Sequence, residues 1–266
     1  MVITLIIFKT QHKTTLNVKG DTMTYKLLGV GTNAKTIKGD GDEYLTAILY
    51  MHSWKIMVDG NLFNSCSMAT LAGCVEGCLI SAGRGAFNNV QEARRRKAEW
   101  FYRDRDSFMQ QMVTDCEKFV QYCSKRGIQP CVRPNGTTDI RWELIPCERD
   151  GVTHPNLMTA FPEIQWYDYT KIPNRKVDHL DNYHLTWSYS AANAKYEQHF
   201  DAAVQDMPVA VVFRTPYKGK TWRGYKVIDG DANDLRFLDP KRTIVALYAK
   251  GKAKKDKSGF VVDIAA

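Results

Sequence analysis

Short apolar segments alternate along this chain with longer stretches of helical composition, and this alternation limits the possible folds more than any other feature. The segments are rich in β-branched and aromatic residues, which is typical of buried strands. They cover residues 44–51, 129–133, 164–169, 183–189, 209–214, 225–229 and 243–249. Strands that are separated by helices pair in parallel and are covered on both faces. The pattern therefore predicts an α/β fold with a largely parallel sheet.

Two helices are predicted between the first two of these strands. Residues 88–103 carry apolar side chains at helical spacing, and the basic run 94–97 is expected mostly on the solvent side. A second helix follows, for which Asp106 or Ser107 is the expected N-cap and Gly127 the residue that ends it.

We expect a single α/β domain over residues 23–266, in the form of a partial or distorted (β/α) barrel. The connections near Tyr225 are too short for a helix, so part of the sheet is expected to be antiparallel there. Residues 1–22 begin with a short apolar run that no basic residue precedes, and Met23 resembles a natural start. We interpret residues 1–22 as a poorly ordered N-terminal extension.

Cysteine content and charge limit the compartment and the partners. The seven cysteines are an odd number without the pairing pattern of small secreted domains, which favours reduced thiols in a cytoplasm. No run of eighteen apolar residues occurs, so no membrane partner is expected. The net charge of +8 permits attraction to nucleic acid but does not identify a partner.

Cys66, Cys74 and Cys78 form a C-x7-C-x3-C run in a loop of small residues, residues 64–78, that follows the first predicted strand. A structural zinc site needs four protein ligands, whereas three cysteines that hold a cubane iron–sulfur cluster leave one iron open. The favoured interpretation is therefore an iron–sulfur cluster. Zinc with a fourth ligand from elsewhere, or three buried cysteines without metal, remain alternatives.

The other four cysteines are interpreted from their positions. Cys116 and Cys123 lie on one side of the second predicted helix and are expected in the core. Cys131 and Cys147 are each a candidate for a fourth metal ligand.

Polar residues follow four of the predicted strands, at residues 133–139, 167–171, 186–188 and 229–231. Carboxyl ends of parallel strands meet at one edge of a sheet, where α/β proteins bind their ligands. Because turns also attract Asn, Asp, Gly and Thr, a series of ordinary turns is the alternative. A ligand pocket at this edge would include Asn135, Asp139, Asp168, Lys171, Ser188 and Asp229.

The cysteine loop resembles that of the radical S-adenosylmethionine superfamily, although the common spacing there is C-x3-C-x2-C. The resemblance implies a [4Fe–4S] cluster on the three cysteines and S-adenosylmethionine as a second cofactor, bound to the open iron. By analogy of position, residues after the second strand would grip the amino group of this cofactor, and residues of a later strand would face its ribose. The cofactor-binding candidates are Asn135, Gly136, Thr138, Asp139, Asp168, Lys171, Thr186 and Ser188.

From roughly residue 25 to residue 262, the chain also resembles the gene product 88 family of phage and plasmid proteins. The strings that carry this resemblance are residues 32–36, the cysteine loop, 82–85, 135–140 and 167–171. This resemblance implies a viral origin.

We therefore expect a phage-encoded iron–sulfur protein that acts as a radical S-adenosylmethionine-like enzyme on an unknown substrate in the cytoplasm of the host bacterium. The alternative is a non-enzymatic nucleic-acid-binding protein with a structural metal site. In that case the basic run 94–97 and the lysines of residues 250–257 would contact phosphates.

Overall fold

The computed structural model describes residues 14–18, 21–31 and 36–264. Residues 1–13 and 19–20 of the expected N-terminal extension lie outside the described residues, and the domain boundary at residue 23 stays a prediction. Strands β1 (Thr14–Val18) and β2 (Asp21–Tyr25) form an antiparallel pair.

A nine-stranded sheet forms the centre of the protein. Its strands are β3 (Leu28–Val30), β4 (Tyr44–Leu49), β7 (Gln129–Arg133), β10 (Gln165–Thr170), β11 (Tyr183–Ser188), β12 (Val209–Phe213), β13 (Thr221–Trp222), β14 (Tyr225–Asp229) and β15 (Thr243–Tyr248). They lie side by side in the order β13-β14-β15-β12-β11-β10-β7-β4-β3. Two hairpins lie outside this sheet, one of β5 (Lys55–Val58) with β6 (Asn61–Asn64) and one of β8 (Cys147–Arg149) with β9 (Val152–His154).

The sheet is parallel from β4 to β14, and only its edge strands β3 and β13 run antiparallel to their neighbours. The predicted α/β class and the antiparallel pairing near Tyr225 are therefore confirmed. Within the described residues the two edge strands do not pair with each other, so a closed barrel is not shown.

Burial explains why β12 and β15 are almost entirely apolar. In β12 every side chain but Val212 is buried, and β15 beside it is buried from Thr243 to Ala246. A strand that other elements cover on both faces has no solvent side and shows no alternation of polar and apolar residues.

Helices α1 (Asn88–Arg103) and α2 (Arg105–Ser124) connect β4 to β7, and α3 (Leu157–Ala160), α4 (Ala194–Glu197) and α5 (Phe200–Asp206) are shorter. No helix among the described residues combines the length and the apolar character that crossing a membrane requires.

The N-cap of α2 is Asp104, and the prediction of Asp106 or Ser107 is wrong. The Asp104 backbone is non-helical, and its carboxylate accepts a hydrogen bond from the backbone N–H of Ser107. An aspartate at this position satisfies a free N–H of the first turn. Gly127 follows the helix with a φ of +64°, the left-handed conformation that glycine adopts most readily.

Aromatic side chains join the two long helices to the loop after β7. The ring of Phe101 in α1 lies 5.2 Å from that of Phe108 in α2 and 5.4 Å from that of Trp142, and all three are almost fully buried. Burying side chains of this size stabilises the fold by about 2–3 kcal/mol each. Trp142 also reaches the loop that carries several predicted site residues.

Candidate functional site

The loops that follow β4 and β7 meet at the carboxyl edge of the sheet. The backbone N–H of Asp139 donates to the carbonyl oxygen of Ser65 at 2.8 Å, and the sulfur of Cys66 lies 3.8 Å from the carbonyl oxygen of Thr137. The thiol of Cys78 lies 3.5 Å from Ser53 Oγ, just beyond the end of β4. The chain thus brings the cysteine loop to the edge at which the predicted pocket residues lie.

Cys66, Cys74 and Cys78 are all partly exposed. Desolvation by burial, with a smaller contribution from neighbouring Cys78, raises the pKa of Cys66 to about 12 and also raises that of Cys74. The three thiols are therefore electrostatic neighbours. Among residues 14–18, 21–31 and 36–264, no three His, Cys, Asp or Glu side chains are grouped to hold a metal ion.

Lys171 lies near Cys74 and Cys78, just after the end of β10. Its ammonium donates to the carbonyl oxygens of Ser188 and Tyr189 at the end of β11, and it lies 4.4 Å from the ring centre of Phe260. Burial lowers the pKa of Lys171, while Cys74 acts in the opposite direction. The Lys171 charge in turn favours the thiolate of Cys74. Lys171 and Cys74 therefore stabilise each other's charged form.

Asn135 organises the loop after β7 and is itself almost fully buried. Its side-chain oxygen accepts hydrogen bonds from Thr138 Oγ1, the backbone N–H of Ile140 and Trp142 Nε1. Its side-chain nitrogen donates to Ile140 O and to Asp168 Oδ2. Every polar atom of this side chain is therefore hydrogen-bonded within the protein, so Asn135 stabilises the conformation of the loop.

Asp139 and Asp168 are also buried and bonded inside the protein. Asp139 accepts hydrogen bonds from Thr170 Oγ1, the backbone N–H of Lys171 and Arg175 Nη1, at 2.7 to 3.2 Å. Burial raises the pKa of Asp139, and the Arg175 charge lowers it. Both carboxyl groups tie the loop after β7 to β10.

Gly136 allows this loop to approach the end of β4. A Cβ atom at this position would lie 2.7 Å from the carbonyl oxygen of Leu49 and 2.7 Å from Tyr50 Cδ1. The backbone N–H of Gly136 donates to that same oxygen. Backbone contact at this distance leaves no room for a side chain.

The two predicted ribose contacts differ in access. Ser188 is half-buried at the end of β11, so its surface remains partly open. Thr186 is buried within the strand, and its Oγ1 has no hydrogen-bond partner among the described atoms. Asp229 ends β14, which runs parallel to β15, so it lies at the same sheet edge but several strands away.

The remaining cysteines lie apart from the cysteine loop. Cys116 and Cys123 are fully buried on α2, as predicted. Cys131 is buried on β7 near Cys123, and Cys147 on β8 lies near Cys116. The two fourth-ligand candidates are therefore associated with the core cysteines.

The basic run on α1 is divided between core and solvent. Arg94 is 8% exposed, and its guanidinium lies 4.7 Å from the ring centre of Tyr50. Lys97 donates to Leu27 O, whereas Arg95 and Arg96 pair with glutamates on the helix surface. The expectation that the run lies mostly in solvent is wrong for Arg94 and Lys97, because residues three apart share one face of a helix.

Arg175 is a residue of this edge that sequence reasoning missed. It is 1% exposed and forms ion pairs with Asp139 and Glu143, and its Nη2 also donates to the hydroxyl of Tyr183. A buried arginine needs such partners to offset the loss of hydration. Its partners are remote in sequence, so no local pattern marks it.

The fold and this edge define a mixed α/β protein whose largely parallel sheet carries three thiols and a partly buried lysine at its carboxyl edge. The family model of gene product 88 matches residues 25–264. The chain belongs to the gene product 88 family, in line with the resemblance expected from the sequence. No curated protein and no solved structure matches it. The resemblance to radical S-adenosylmethionine proteins finds no support in these comparisons.

Proposed function

We propose that Cys66, Cys74 and Cys78 hold a [4Fe–4S] cluster and that the protein is a radical S-adenosylmethionine-like enzyme in the cytoplasm of the infected bacterium. The observation that carries the proposal is the position of the cysteine loop at the carboxyl edge of a parallel sheet, where Cys66 and Cys78 contact the loops after β7 and β4 and Lys171 lies near Cys74 and Cys78. This is the edge at which α/β proteins bind their ligands.

The donor set favours a cluster over a single zinc ion. Three thiols leave a structural zinc site one ligand short, and Cys131 and Cys147 are neighbours of the core cysteines instead. In a cubane cluster, three cysteine sulfurs bind three different irons, so they do not need to meet at one point. Three thiols that are neighbours without forming a single-ion site are compatible with that arrangement.

The strand order supports a partial barrel. Strands β4, β7, β10, β11 and β12 lie side by side in the order in which the chain forms them. Successive parallel strands joined by right-handed crossovers produce such an order in α/β barrels.

The residues of this edge divide into two roles. Asn135, Gly136, Thr138, Asp139 and Asp168 fix the shape of the loop, because their polar or backbone groups are bonded within the protein. Lys171 favours the thiolate of Cys74, and thiols must lose their protons to bind metal. Of the two candidates for contact with the ribose, Ser188 is partly exposed, whereas Thr186 is buried and would reach a ribose only after the end of the strand had opened.

When bound and reduced, the cluster would supply the electron that cleaves S-adenosylmethionine. The test uses protein purified anaerobically, with its full cluster confirmed by iron and sulfide analysis. We expect S-adenosylmethionine to change the paramagnetic resonance spectrum of the reduced protein, and 5′-deoxyadenosine to form when dithionite is present. If neither occurs in fully loaded protein, the enzyme assignment is rejected and the metal is structural.

A further inference from the structure

The lysine-rich segment near the C-terminus packs against the cysteine loop. The Ser258 hydroxyl donates to the carbonyl oxygen of Gly73 at 3.1 Å. Gly77 lies so close to Phe260 that an added Cβ would be 3.1 Å from that ring. The segment expected to supply phosphate contacts therefore lies beside the candidate metal site.

This segment is held in a defined conformation. Residues Gly251–Lys255 form a 3-10 helix whose Ala253 is buried. Arg214 donates to the carbonyl oxygens of Lys254 and Asp256, at 2.9 and 2.8 Å. The Asp256 carboxylate in turn accepts from Ser258 Oγ and from the backbone N–H of Val261. The lysines are therefore attached to an ordered backbone.

A cavity of about 370 Å³ lies between this segment and the cysteine loop. Lys252, Lys255, Lys257, Asp256 and Ser258 line one side, and Gly73, Glu76 and Gly77 of the cysteine loop line the other. All three lysines are exposed, and no carboxylate among the described residues forms an ion pair with them. Their charges are available to an anionic ligand.

Two further lysines of the segment lie outside the cavity. Lys250 is paired with Asp231, and Lys254 lies over the ring of Tyr248. Residues 250–258 thus carry five lysines against one aspartate, and that aspartate accepts hydrogen bonds from Ser258 and Val261. With Glu76 on the opposite wall of the cavity, lysines still outnumber carboxylates, so the surface beside the cysteine loop has a net positive charge.

We propose that Lys252, Lys255 and Lys257 bind the phosphates of a nucleic-acid strand, and that the substrate of the candidate site is a nucleic acid. The second part rests on the proposed function, because it identifies the substrate class of that same site. A nucleic-acid strand carries one negative charge on each phosphate, and proteins that bind single strands follow this backbone with a basic groove. Several exposed lysines on one ordered segment match that series of charges. A strand bound in this cavity would contact the cysteine loop.

The test measures the fluorescence anisotropy of a labelled single-stranded oligonucleotide at several salt concentrations. Three phosphate contacts correspond to a slope of about −2 in a plot of log K against log salt, or about 15-fold weaker binding between about 50 and 200 mM. For the Lys252→Gln, Lys255→Gln, Lys257→Gln triple variant, we expect a slope that is less steep by this amount. The matched control replaces Lys118, Lys125 and Lys195, which are exposed elsewhere on the surface, by glutamine.

Equal slopes in the two triple variants would overturn the inference, as would a wild-type protein that does not bind the oligonucleotide at the lowest salt concentration. Iron content is measured on the same samples. Loss of binding in both triple variants alike, with iron retained, rejects the nucleic-acid site alone. If the protein never acquires iron but its binding still depends on the three cavity lysines, only the cluster is rejected.

Discussion

Asn135 donates two hydrogen bonds to Asp168, one from its backbone and one from its side chain, and each is 2.9 Å long. Asp168 is fully buried on β10 and also accepts from the hydroxyl of Tyr183 on β11. Burial raises the pKa of Asp168, whereas the charges of Arg133 and Arg175 and the two hydrogen bonds from Asn135 lower it, and the net result is a pKa of about 7. One buried amide–carboxyl pair therefore joins the loop after β7 to two neighbouring strands.

The Asn135→Ala variant tests this relationship. It removes the side-chain hydrogen bond to the buried Asp168 carboxyl, which keeps the backbone N–H of residue 135 and Tyr183, and it leaves the indole N–H of Trp142 without its partner. We therefore expect a loss of about 2–4 kcal/mol in the free energy of unfolding. Urea denaturation measures the change. Asn61→Ala is the control, because Asn61 is exposed and its side chain bonds only a nearby carbonyl oxygen. Equal losses in the two variants would contradict the account.

The Gly136→Ala variant tests the close approach of this loop to β4. The new Cβ would meet the carbonyl oxygen of Leu49 at 2.7 Å, so the loop must move. We expect a loss of about 1–3 kcal/mol in the free energy of unfolding. Gly41→Ala is a matched control, because a Cβ there meets nothing within 4 Å. If the Gly136→Ala protein is as stable as the Gly41→Ala protein, the loop does not pack closely against the end of β4.

The Lys171→Met variant tests the electrostatic link between Lys171 and Cys74. Burial already raises the pKa of Cys74, and the Lys171 charge opposes this effect. Without this cation the pKa of Cys74 therefore rises further. We expect alkylation of Cys74 by iodoacetamide in the metal-free protein to slow by about threefold to tenfold at mildly alkaline pH. Peptide mass spectrometry measures the rate at each cysteine separately.

Cys66 is the internal control for this measurement, because Lys171 is not among the causes that shift its pKa. Lys195→Met, at an exposed lysine, controls for the loss of one positive charge. If alkylation of Cys74 is as fast in Lys171→Met as in Lys195→Met, the proposed influence of Lys171 on the thiol is absent.

The elements with strong local signals could be predicted from the sequence. Strands β7 and β14 and helix α1 begin and end at the predicted residues, β10 begins and ends one residue later than predicted, and β4, β11, β12 and β15 end one or two residues early. The strand β3 and the β5–β6 hairpin were not predicted. Such strands are too short for a periodic pattern, and long-range contacts determine their pairing.

The site was predictable only in part, for the same reason. The rule that parallel strands share a carboxyl edge correctly located the loop after β7 and Lys171 at the end of β10. It did not reveal that Asn135 and Asp168 bond to each other, or that Arg175 neutralises Asp139. These contacts join residues 33 and 36 positions apart, and no local spacing encodes them.

The most direct test of the central claim is the iron and sulfide content of protein purified anaerobically. The wild-type protein is predicted to hold about four irons and four sulfides per chain, as a [4Fe–4S] cluster requires. Cys74→Ala is predicted to lose this iron, and Cys123→Ala, which removes a fully buried core thiol, is predicted to keep it. Equal iron content in the two variants, or a wild-type protein reconstituted anaerobically with iron and sulfide that still binds no iron, would contradict the account.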